Sequence, residues 1–374
     1  MNSTVQPVSA TAAVVRKAGE PFTIEQVDVA APRDFEVRVR MTAVGMCHSD
    51  IVVRAGHLPV PTPIVLGHEG SGIVEAIGAK VSRVKPGDHV VLSFNSCADC
   101  PSCNQGKPAY CYNFMASNFA GVRLSDGSTA LSQKGHSVHA NFFGQSSFAS
   151  YAIAHERNTV SVDTSVPLEL LGPLGCGIQT GAGAVINSLA LKAGEALAIF
   201  GGGAVGLSAL LGARAVEAGT VIVVEPNAER RALALELGAA HVIDPRATAD
   251  VLAKIKELSG GGVNHALDTT GNPAVIAVAV ETTLANGTLG LLGVPPPDAM
   301  LPANMLSMLI RGTVIRYITE GDADPQTFIP QMIALYKAGK FPFDRLIRKF
   351  PFDRINEAAS ASEQGFAIKP VLVF

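Results

Sequence analysis

A short apolar run in the second half of the chain leads directly into a glycine-rich turn, a pattern that few folds contain. The run is Leu197–Phe200, and an Ala- and Leu-rich helical pattern follows the turn. In a strand, G-x-G-x-x-G turn and helix, the first glycine permits the tight turn, the second lets the backbone approach a pyrophosphate, and the third allows close helix–strand packing. The helix start adds free N–H groups for the phosphates. The residues that we expect to bind a dinucleotide here are Gly201, Gly203, Ala204, Val205 and Gly206.

An acidic residue after the next strand supports the same interpretation. Glu225 stands nineteen residues after Gly206, at the end of a second apolar run. A carboxylate at this place can accept hydrogen bonds from the adenosine ribose, and it repels a 2′-phosphate. The pattern therefore favours NAD over NADP. The alternative is a glycine-rich structural turn with Glu225 merely exposed.

The two halves of the chain differ in periodicity, which predicts two domains. After about residue 175, apolar strands alternate with helical patterns at 204–218, 228–237, 249–258 and 273–284, up to a strand at 288–292. This alternation is typical of a parallel doubly wound sheet. The first half shows short strand-like runs between Gly and Pro turns, at 12–15, 36–43, 72–76, 89–92 and 149–154. A chain of 374 residues, 48% of them hydrophobic, can bury two cores, so we predict an α/β fold.

Four of the six cysteines stand within fifteen residues. They are Cys97, Cys100, Cys103 and Cys111. Four thiolates at this spacing can wrap one tetrahedral Zn²⁺ and leave no open position, which predicts a structural site. Similar spacings hold iron–sulfur clusters, and buried free cysteines are a third interpretation. Disulfides are disfavoured, because the chain is long and shows no secretory leader.

A second group of possible metal ligands is dispersed along the chain. Cys47 opens the polar stretch 47–50, His68 lies between Gly67 and Glu69, and Cys176 stands at the junction of the two predicted domains. Taken singly, each is more simply a core cysteine or a hydrogen-bonded structural histidine. Taken together they form a Cys₂His set, which leaves the fourth zinc position open for water or substrate.

Composition excludes several classes of partner. The net charge is −3 and no long run of one sign occurs, which disfavours nucleic acid and anionic membrane surfaces. The apolar stretches 170–191 and 196–213 are broken by glycines and polar residues, so we expect buried elements rather than membrane spans. The first residues lack a leader pattern, and we expect a cytoplasmic protein.

Together these motifs resemble the zinc-dependent medium-chain alcohol dehydrogenase family over residues 10–374. The segment Gly67-His68-Glu69-x2-Gly72-x5-Gly78-x2-Val81 matches the family's zinc signature, and the cysteine lobe, the glycine turn and Glu225 follow in the expected order. The resemblance implies a GroES-like catalytic domain (1–177), a Rossmann NAD-binding domain (178–318) and a C-terminal return to the first domain (319–374). It also implies two Zn²⁺ per chain, one catalytic and one structural, and a homodimer or homotetramer.

The resemblance also implies roles for residues around the catalytic zinc. Cys47, His68 and Cys176 would be its ligands, and Glu69 would be a transient ligand. The carboxylate of Asp50 would orient the ligand His68, and Ser49 would take the proton of the substrate hydroxyl. Cys97, Cys100, Cys103 and Cys111 would hold the structural zinc.

Further cofactor contacts are implied by the same resemblance. His48 and Lys369 fall where relatives place basic residues on the pyrophosphate, Arg230 would neighbour the ribose, and Thr180 would lie near the nicotinamide. Val294 is expected to contact the cofactor as well. One departure concerns the proton relay, because many relatives carry a histidine where this chain has Val52. The relay must end elsewhere, and His48 is the candidate.

Two segments, 142–149 and 174–181, look most like the aryl-alcohol branch, which includes enzymes for allylic terpene alcohols. We therefore expect hydride transfer between NAD and a primary aromatic or allylic alcohol and its aldehyde. The alternatives are an S-(hydroxymethyl)glutathione or general aliphatic alcohol dehydrogenase and, more remotely, a non-enzymatic zinc-binding protein. Phe94, Phe119 and Phe148 are candidates for the substrate pocket, although core packing is the simpler role for each.

Overall fold

The computed structural model describes residues 5–374. The first four residues, which belong to the segment inspected for a leader and to the predicted first domain, lie outside the described residues. The chain divides into two compact units. One comprises Met1–Cys176, Asp324–Ile333 and Asp344–Phe374, and the other Gly177–Ala323 and Ala334–Phe343. The functional domain boundaries after 177 and 318 stay predictions, because these units are defined by packing alone.

The N-terminal part of the first unit consists mainly of antiparallel strands. They are β1 (Val8–Val15), β2 (Thr23–Val29), β3 (Glu36–Gly45), β4 (Ile64–Val65), β5 (Glu69–Ile77), β6 (His89–Leu92), β7 (Leu131–Gln133), β8 (His136–Val138), β9 (Tyr151–His155) and β10 (Thr159–Ser161). One sheet has the order β4-β1-β2-β7-β8, and a second contains β10-β6-β5-β3, with β9 also paired to β3. The helices are α1 (His48–Arg54), α2 (Pro101–Asn104), α3 (Phe114–Phe119) and α4 (Leu168–Leu171).

Alternation of side chains explains how these sheets form a core. In β1, Ala10, Ala12 and Val14 are buried on one face, and they pack with Val27 of β2 and with Phe148. Successive strand residues point to opposite faces, and Ala13 and Val15 on the other face are buried too, so both faces of this half of β1 are covered. The loops that leave this core carry the chemically active side chains.

The second unit is a parallel sheet between helices. Its strands are β11 (Leu197–Phe200), β12 (Val221–Val224), β13 (His241–Ile243), β14 (Val263–Asp268), β15 (Thr283–Leu291) and β16 (Val314–Tyr317), in the order β13-β12-β11-β14-β15-β16. Its helices are α5 (Gly177–Gly183), α6 (Ala204–Ala215), α7 (Ala228–Glu236), α8 (Val251–Ser259), α9 (Pro273–Glu281) and α10 (Met305–Arg311). Numbered within the unit, this order is 3-2-1-4-5-6, in which a dinucleotide binds where the order reverses.

Uniformly apolar sequence marks the centre of this sheet. All residues of β11 and β12 are buried, as expected for parallel strands covered on both faces. Helices α7 and α8 begin at side-chain caps: Asn227 accepts from the N–H of Arg230, and Asp250 accepts from the N–H of Ala253. The α/β prediction is thereby confirmed. The sixth strand, β16, was not predicted, because its exposed edge position mixes apolar residues with Arg316 and leaves no clear period.

The C-terminal segment adds α11 (Pro325–Lys337), β17 (Ile347–Pro351), α12 (Ile355–Glu363) and β18 (Lys369–Val373). Strand β18 pairs antiparallel with β3, and Val371 lies opposite Gly45. On the other side of β3, Gly45 lies opposite Glu69. The first residue of β18 is therefore brought close to Glu69, 300 positions earlier in the chain. Within residues 5–374, no helix has the length and apolar character that a membrane crossing requires.

Candidate metal and nucleotide sites

Three predicted ligands of the catalytic metal converge in the first unit. Cys47 caps the start of α1, His68 immediately precedes β5, and Cys176 follows a short helical turn at Gly172–Gly175. Their ligand atoms and a carboxylate oxygen of Glu69 all lie within 4.8 Å of one another. The backbone before Cys176 is held in place, because Ser93 Oγ donates a 2.6 Å hydrogen bond to the carbonyl of Gly175. Sequence reasoning therefore identified residues that the fold brings together.

Asp50 orients the imidazole of His68. Its Oδ1 lies 3.0 Å from His68 Nδ1 and accepts a 3.0 Å hydrogen bond from the Gly67 N–H, while Oδ2 accepts from the N–H of Cys47 at 2.9 Å. Both Asp50 and His68 are fully buried. His68 Nε2, by contrast, is a buried nitrogen without a hydrogen-bond partner. With Nδ1–H held by a carboxylate, Nε2 presents a lone pair, as in histidines that ligate metals.

The Cys47 thiol of this cluster favours its charged form. A hydrogen bond from Cys176 lowers the pKa of the Cys47 thiol well below its usual value, and the nearby positive charge of Lys369 acts in the same direction. Thiolate, not thiol, is the metal-ligating form of cysteine. Two sulfurs and one imidazole nitrogen, whose ligand atoms lie within 4.8 Å of one another, form a donor set that fits Zn²⁺ with an open fourth position.

Glu69 is held by a buried ion pair rather than directed freely at the cluster. Lys369 Nζ donates to Glu69 Oε1 at 2.7 Å and to Oε2 at 3.0 Å, and it lies 3.3 Å from the carbonyl of Met46. Lys369 is 2% exposed and Glu69 is fully buried. Burial raises the pKa of the Glu69 carboxyl, and the charge of Lys369 opposes this change. The expected contact of Lys369 with a pyrophosphate stays a prediction. It would require the Lys369 ammonium either to break its ion pair with Glu69 or to bind Glu69 and the phosphate together.

The predicted proton-relay residues lie on the first turn of α1. Ser49 Oγ lies 3.9 Å from Cys47 Sγ, so its hydroxyl adjoins the cluster. His48 is exposed, and Val52 is half-buried in the next turn. The seryl hydroxyl is thus close to the metal ligands, whereas the imidazole of His48 reaches solvent.

The four clustered cysteines form the second candidate metal site. Their sulfurs lie within 4.8 Å of one another, and all six cysteines of the chain are free thiols. Backbone N–H groups point at the sulfurs: those of Cys97 and Asn113 donate to Cys111 Sγ at 3.2 and 3.4 Å, and that of Tyr112 donates to Cys100 Sγ at 3.4 Å. The backbone bond from Tyr112 lowers the pKa of Cys100 to about 6. Amide donors reach three of the four sulfurs, whereas burial raises the pKa of the Cys103 thiol to about 12. Four cysteine sulfurs this close together fit a closed structural zinc site.

The predicted dinucleotide turn has the geometry that its glycines require. Gly201 has φ +101°, and a Cβ at Gly206 would lie 1.8 Å from the carbonyl oxygen of Gly201. A Cβ at Gly203, by contrast, would have no neighbour within 4 Å, so this part of the turn is open to an approaching ligand. The turn can therefore cradle a pyrophosphate at the start of α6.

Glu225 closes this turn from the side of β12. Its Oε2 accepts a 2.6 Å hydrogen bond from the Gly202 N–H, and Oε1 accepts from the Asn227 N–H at 2.8 Å. The residue is only 4% exposed, which contradicts the alternative of a merely exposed acid. Two backbone donors hold a carboxylate beside the turn, where ribose hydroxyls are expected.

The other predicted cofactor residues lie in the second unit at separate places. Arg230 is half-buried on α7, and its Nε has no hydrogen-bond partner. Thr180 lies on α5 with its Oγ1 3.4 Å from Glu320 Oε2, and Val294 is 89% exposed after β15. Sequence reasoning missed Arg231, which donates to the Glu225 carbonyl at 2.8 Å and pairs with Asp244 at 3.0 Å.

Comparison with known proteins decides the family. The alcohol dehydrogenase GroES-like domain matches residues 33–164, and the zinc-binding dehydrogenase domain matches residues 204–338. Geraniol dehydrogenase of Castellaniella defragrans is 58% identical over 374 residues, which are 100% of both chains. The chain belongs to the zinc-binding alcohol dehydrogenase family. The predicted family, the GroES-like and Rossmann architecture and the oxidoreductase activity on alcohols are confirmed.

Solved structures agree with this assignment. A zinc-binding alcohol dehydrogenase domain protein from Burkholderia ambifaria has a TM-score of 0.97 at 50% identity, with 99% of this chain and 100% of the other covered. Benzyl alcohol dehydrogenase of Acinetobacter calcoaceticus has a TM-score of 0.95 at 44% identity, with 98% and 99% covered. The two metal clusters of this dehydrogenase fit the zinc chemistry of its family.

Phenylalanines pack beside His68 of the Cys47, His68 and Cys176 cluster, a feature that the sequence showed only in part. The ring of Phe143 stacks on His68 with centroids 4.2 Å apart and planes 19° apart, and Phe142 meets His68 edge-on at 5.4 Å. Phe119 lies 5.0 Å from Phe143. Of the predicted pocket residues, Phe94 and Phe119 join this aromatic group, whereas Phe148 packs against Phe22 at 5.6 Å. The signal for Phe142 and Phe143 was their adjacency in one loop, which carries no spatial information by itself.

Proposed function

We propose that this chain is an NAD-dependent zinc dehydrogenase that interconverts primary allylic or aromatic alcohols and their aldehydes. The observation that carries the proposal is the Cys47, His68 and Cys176 cluster, in which Asp50 holds one nitrogen of His68 and leaves the other free. A geraniol dehydrogenase that aligns end to end and a benzyl alcohol dehydrogenase of the same fold support the substrate class. The phenylalanines packed around His68 give the cluster an apolar, aromatic neighbourhood suited to such substrates.

The proposed ligands of the catalytic zinc are Cys47, His68 and Cys176. When bound, zinc supplies the Lewis acidity that makes an alcohol hydroxyl acidic near neutral pH. Asp50 holds the imidazole of His68 in the orientation and tautomer that this role needs. Glu69 is proposed as a transient ligand, and its bonds to Lys369 keep the carboxylate occupied otherwise.

Proton removal is assigned to side chains of α1. Ser49 would accept the hydroxyl proton of the substrate, since its Oγ adjoins Cys47 Sγ at 3.9 Å. His48 would pass that proton to solvent, because it is exposed one residue earlier. Val52 carries no titratable group. Of the two titratable neighbours of Ser49, Asp50 is buried and His48 is exposed, so His48 is the proposed end of the relay.

NAD is the proposed cofactor, and when bound it supplies the hydride acceptor. The pyrophosphate would lie on the turn at Gly201, Gly203, Ala204, Val205 and Gly206. Glu225 would bind the ribose hydroxyls, and its fixed negative charge would repel a 2′-phosphate. Arg230, with an unpaired buried Nε, would adjoin the ribose. The remaining proposed contacts are His48, Thr180, Val294 and Lys369.

The proposed structural zinc lies in the lobe of Cys97, Cys100, Cys103 and Cys111. The N–H groups that already donate to three of these sulfurs stabilise the thiolate form. Reduced thiolate sites favour a cytoplasmic location, where thiols are kept reduced. The proposed domains would put both metal sites in 1–177 and the glycine turn with Glu225 in 178–318, while 319–374 returns to the first domain.

A homodimer is proposed from the exposed face of the second unit. Helix α10 exposes a row of large apolar side chains, Met305, Leu306, Leu309 and Ile310, at 64–86%. The neighbouring strand β16 ends the six-stranded sheet, so its outer edge has no strand partner in the described chain. A second copy related by a two-fold axis can pair with the same edge and cover the same apolar helix. Analytical ultracentrifugation of Leu309→Lys should show monomers, whereas an unchanged oligomer would exclude this face as the dimer interface. A tetramer in the native protein would require a second interface.

The substrate class is tested by an NAD-reduction screen with purified, zinc-replete protein. The screen compares geraniol, cinnamyl alcohol and benzyl alcohol with short aliphatic alcohols, S-(hydroxymethyl)glutathione and polyols. The proposal expects kcat/KM for the allylic and aromatic alcohols to exceed the others by at least about tenfold, the value of one or two buried methylene groups. Equal or greater activity on S-(hydroxymethyl)glutathione or aliphatic alcohols would assign the chain to those classes.

A further inference from the structure

The loop of residues 141–148, here the 141–148 loop, has an unusual backbone. Asn141, Phe143 and Ser146 have φ values of 66°, 50° and 53°, in the left-handed region. For a bulky residue such as Phe143 this conformation is rare, and it persists only when the surroundings hold it in place. A run of such residues beside a metal cluster suggests that the loop's shape serves the site.

The 141–148 loop is hydrogen-bonded along the segment that carries His68. Ser146 Oγ donates to the carbonyl of Val65 at 2.6 Å, and the N–H groups of Phe148 and Ser147 donate to Leu66 and Gly67 at 3.0 and 2.9 Å. These contacts cover three consecutive carbonyls before His68. The approach is close enough that a Cβ at Gly67 would lie 2.5 Å from the Phe148 nitrogen.

Gln145 continues this pairing on both sides of Glu69. Its Nε2 donates to the carbonyl of His68 at 2.9 Å, and its Oε1 accepts from the Gly70 N–H at 3.2 Å. The same amide donates to the Ser93 carbonyl at 3.0 Å and accepts from Ser147 Oγ at 2.6 Å. The side chain is 1% exposed, and both its donors and both its acceptor positions are used.

The ring of His68 is restrained from two directions. Asp50 fixes Nδ1 at 3.0 Å, which sets the rotation of the ring. Phe143 lies parallel to the imidazole at 4.2 Å, which limits its tilt. The backbone of His68 is held by Gln145, so neither the main chain nor the ring is free to move away from the cluster.

We propose that the 141–148 loop is a template that fixes His68 and Glu69 for metal binding, with Gln145 as its central positioning residue. This inference rests on the proposed function, because it concerns the metal held by Cys47, His68 and Cys176. Gln145 acts through the backbone of residues 68–70 and does not itself touch metal or substrate.

The test follows metal release from the holoenzyme of a Gln145→Met variant, which keeps the length of the side chain but removes all four hydrogen bonds. A colorimetric chelator reports loss of zinc, and the four-cysteine lobe gives an internal reference phase. Loss of an outer partner of a metal ligand typically lowers metal affinity 10–100-fold. We expect release from the catalytic cluster to accelerate by that order and the lobe phase to stay unchanged. In protein loaded with Co²⁺, the visible spectrum of the catalytic cluster should shift.

Gln326→Met is the matched control. Gln326 also donates from Nε2 to two backbone carbonyls, those of Arg157 and Thr159 at 2.9 and 3.1 Å, but it braces a different turn. Release from the catalytic cluster within about twofold of the native rate is expected there. Should Gln145→Met fail to fold, Phe143→Leu keeps Gln145 and must still shift the Co²⁺ spectrum.

Distinct outcomes overturn the proposal. The template would be refuted, and the proposed function left intact, by the following result. The native protein binds two metals, and Gln145→Met has the same rate of metal release and the same Co²⁺ spectrum as Gln326→Met. An unshifted Co²⁺ spectrum in Phe143→Leu would refute it in the same way. Native protein that holds metal only in the four-cysteine lobe would overturn both the template and the proposed function.

Discussion

Removal of the Lys369 charge should destabilise the first unit strongly. Lys369 and Glu69 form an ion pair in which the side chains are 2% and 0% exposed, with Nζ–O distances of 2.7 and 3.0 Å. Lys369→Met leaves the Glu69 carboxylate buried without its partner, because the methionine side chain carries no charge. A Zn²⁺ ion bound by two thiolates would have a net charge near zero, so it would not balance the negative charge of that carboxylate.

The magnitude follows from the burial of both groups. Breaking a buried pair by removing one partner costs about 3–5 kcal/mol, since it leaves an uncompensated charge in a medium that solvates it poorly. A unit of this size loses roughly 2–4 °C in Tm per kcal/mol. The expected decrease for Lys369→Met is therefore roughly 6–20 °C. The double variant Glu69→Gln/Lys369→Met removes both charges and should recover most of that loss.

Differential scanning calorimetry of the zinc-replete proteins measures this effect. Lys80→Met is the matched control, because Lys80 pairs with Asp34 at 2.9 Å while the two side chains are 61% and 58% exposed. An exposed pair of this kind contributes at most about 1 kcal/mol. A Tm for Lys369→Met close to that of Lys80→Met, or a double variant as unstable as the single one, would refute the buried-charge reasoning.

Three further predictions concern the relay, the cofactor and the lobe. Ser49→Ala should lower turnover by roughly 10²-fold or more while NAD binding changes little, and stopped-flow kinetics with NAD titration would show whether turnover is instead unchanged. Glu225→Gln keeps the shape of the side chain but removes its charge, which would repel a phosphate about 4 Å away by about 4 kcal/mol. The preference for NAD over NADP in kcat/KM should therefore fall by up to roughly 10³-fold. A native protein that prefers NADP would contradict this role of Glu225. Arg157 donates to the Cys97 carbonyl at 3.0 Å beside four thiolates, so Arg157→Met should speed zinc loss from the lobe roughly 10–100-fold in a chelator assay, and an equal rate would exclude this charge balance.

The parts of the fold that sequence could predict are those with local signals. The turn at Gly201–Gly206 follows directly from strand to helix, and four cysteines lie on one loop, so spacing alone described both. Helix ends were less certain: the pattern at 204–218 extended beyond the observed Ala204–Ala215, because an apolar period does not mark where capping ends a helix. The exposed edge strand β16 had no period to detect.

The parts that sequence could not predict depend on contacts between distant segments. The ion pair of Lys369 with Glu69 has no signal in the sequence, because only the pairing of β18 with β3 and of β3 with β5 brings the two side chains together. Phe143 reaches His68 because the 141–148 loop adopts a left-handed backbone that its residue types disfavour. Neither arrangement has a signature in spacing, since each is decided by tertiary packing.

Alcohol-dependent NADH formation before and after zinc removal tests whether the zinc held by Cys47, His68 and Cys176 is needed for hydride transfer. Geraniol or benzyl alcohol is the substrate, absorbance reports NADH, and the same preparation is assayed native, after chelation of the faster-released zinc, and after stoichiometric zinc is restored. We expect two zinc ions in the native chain, loss of activity with the faster-released one, and recovery when it returns, while His68→Ala remains inactive at every stage. NADH formation that persists without that zinc, or in His68→Ala, would contradict the claim.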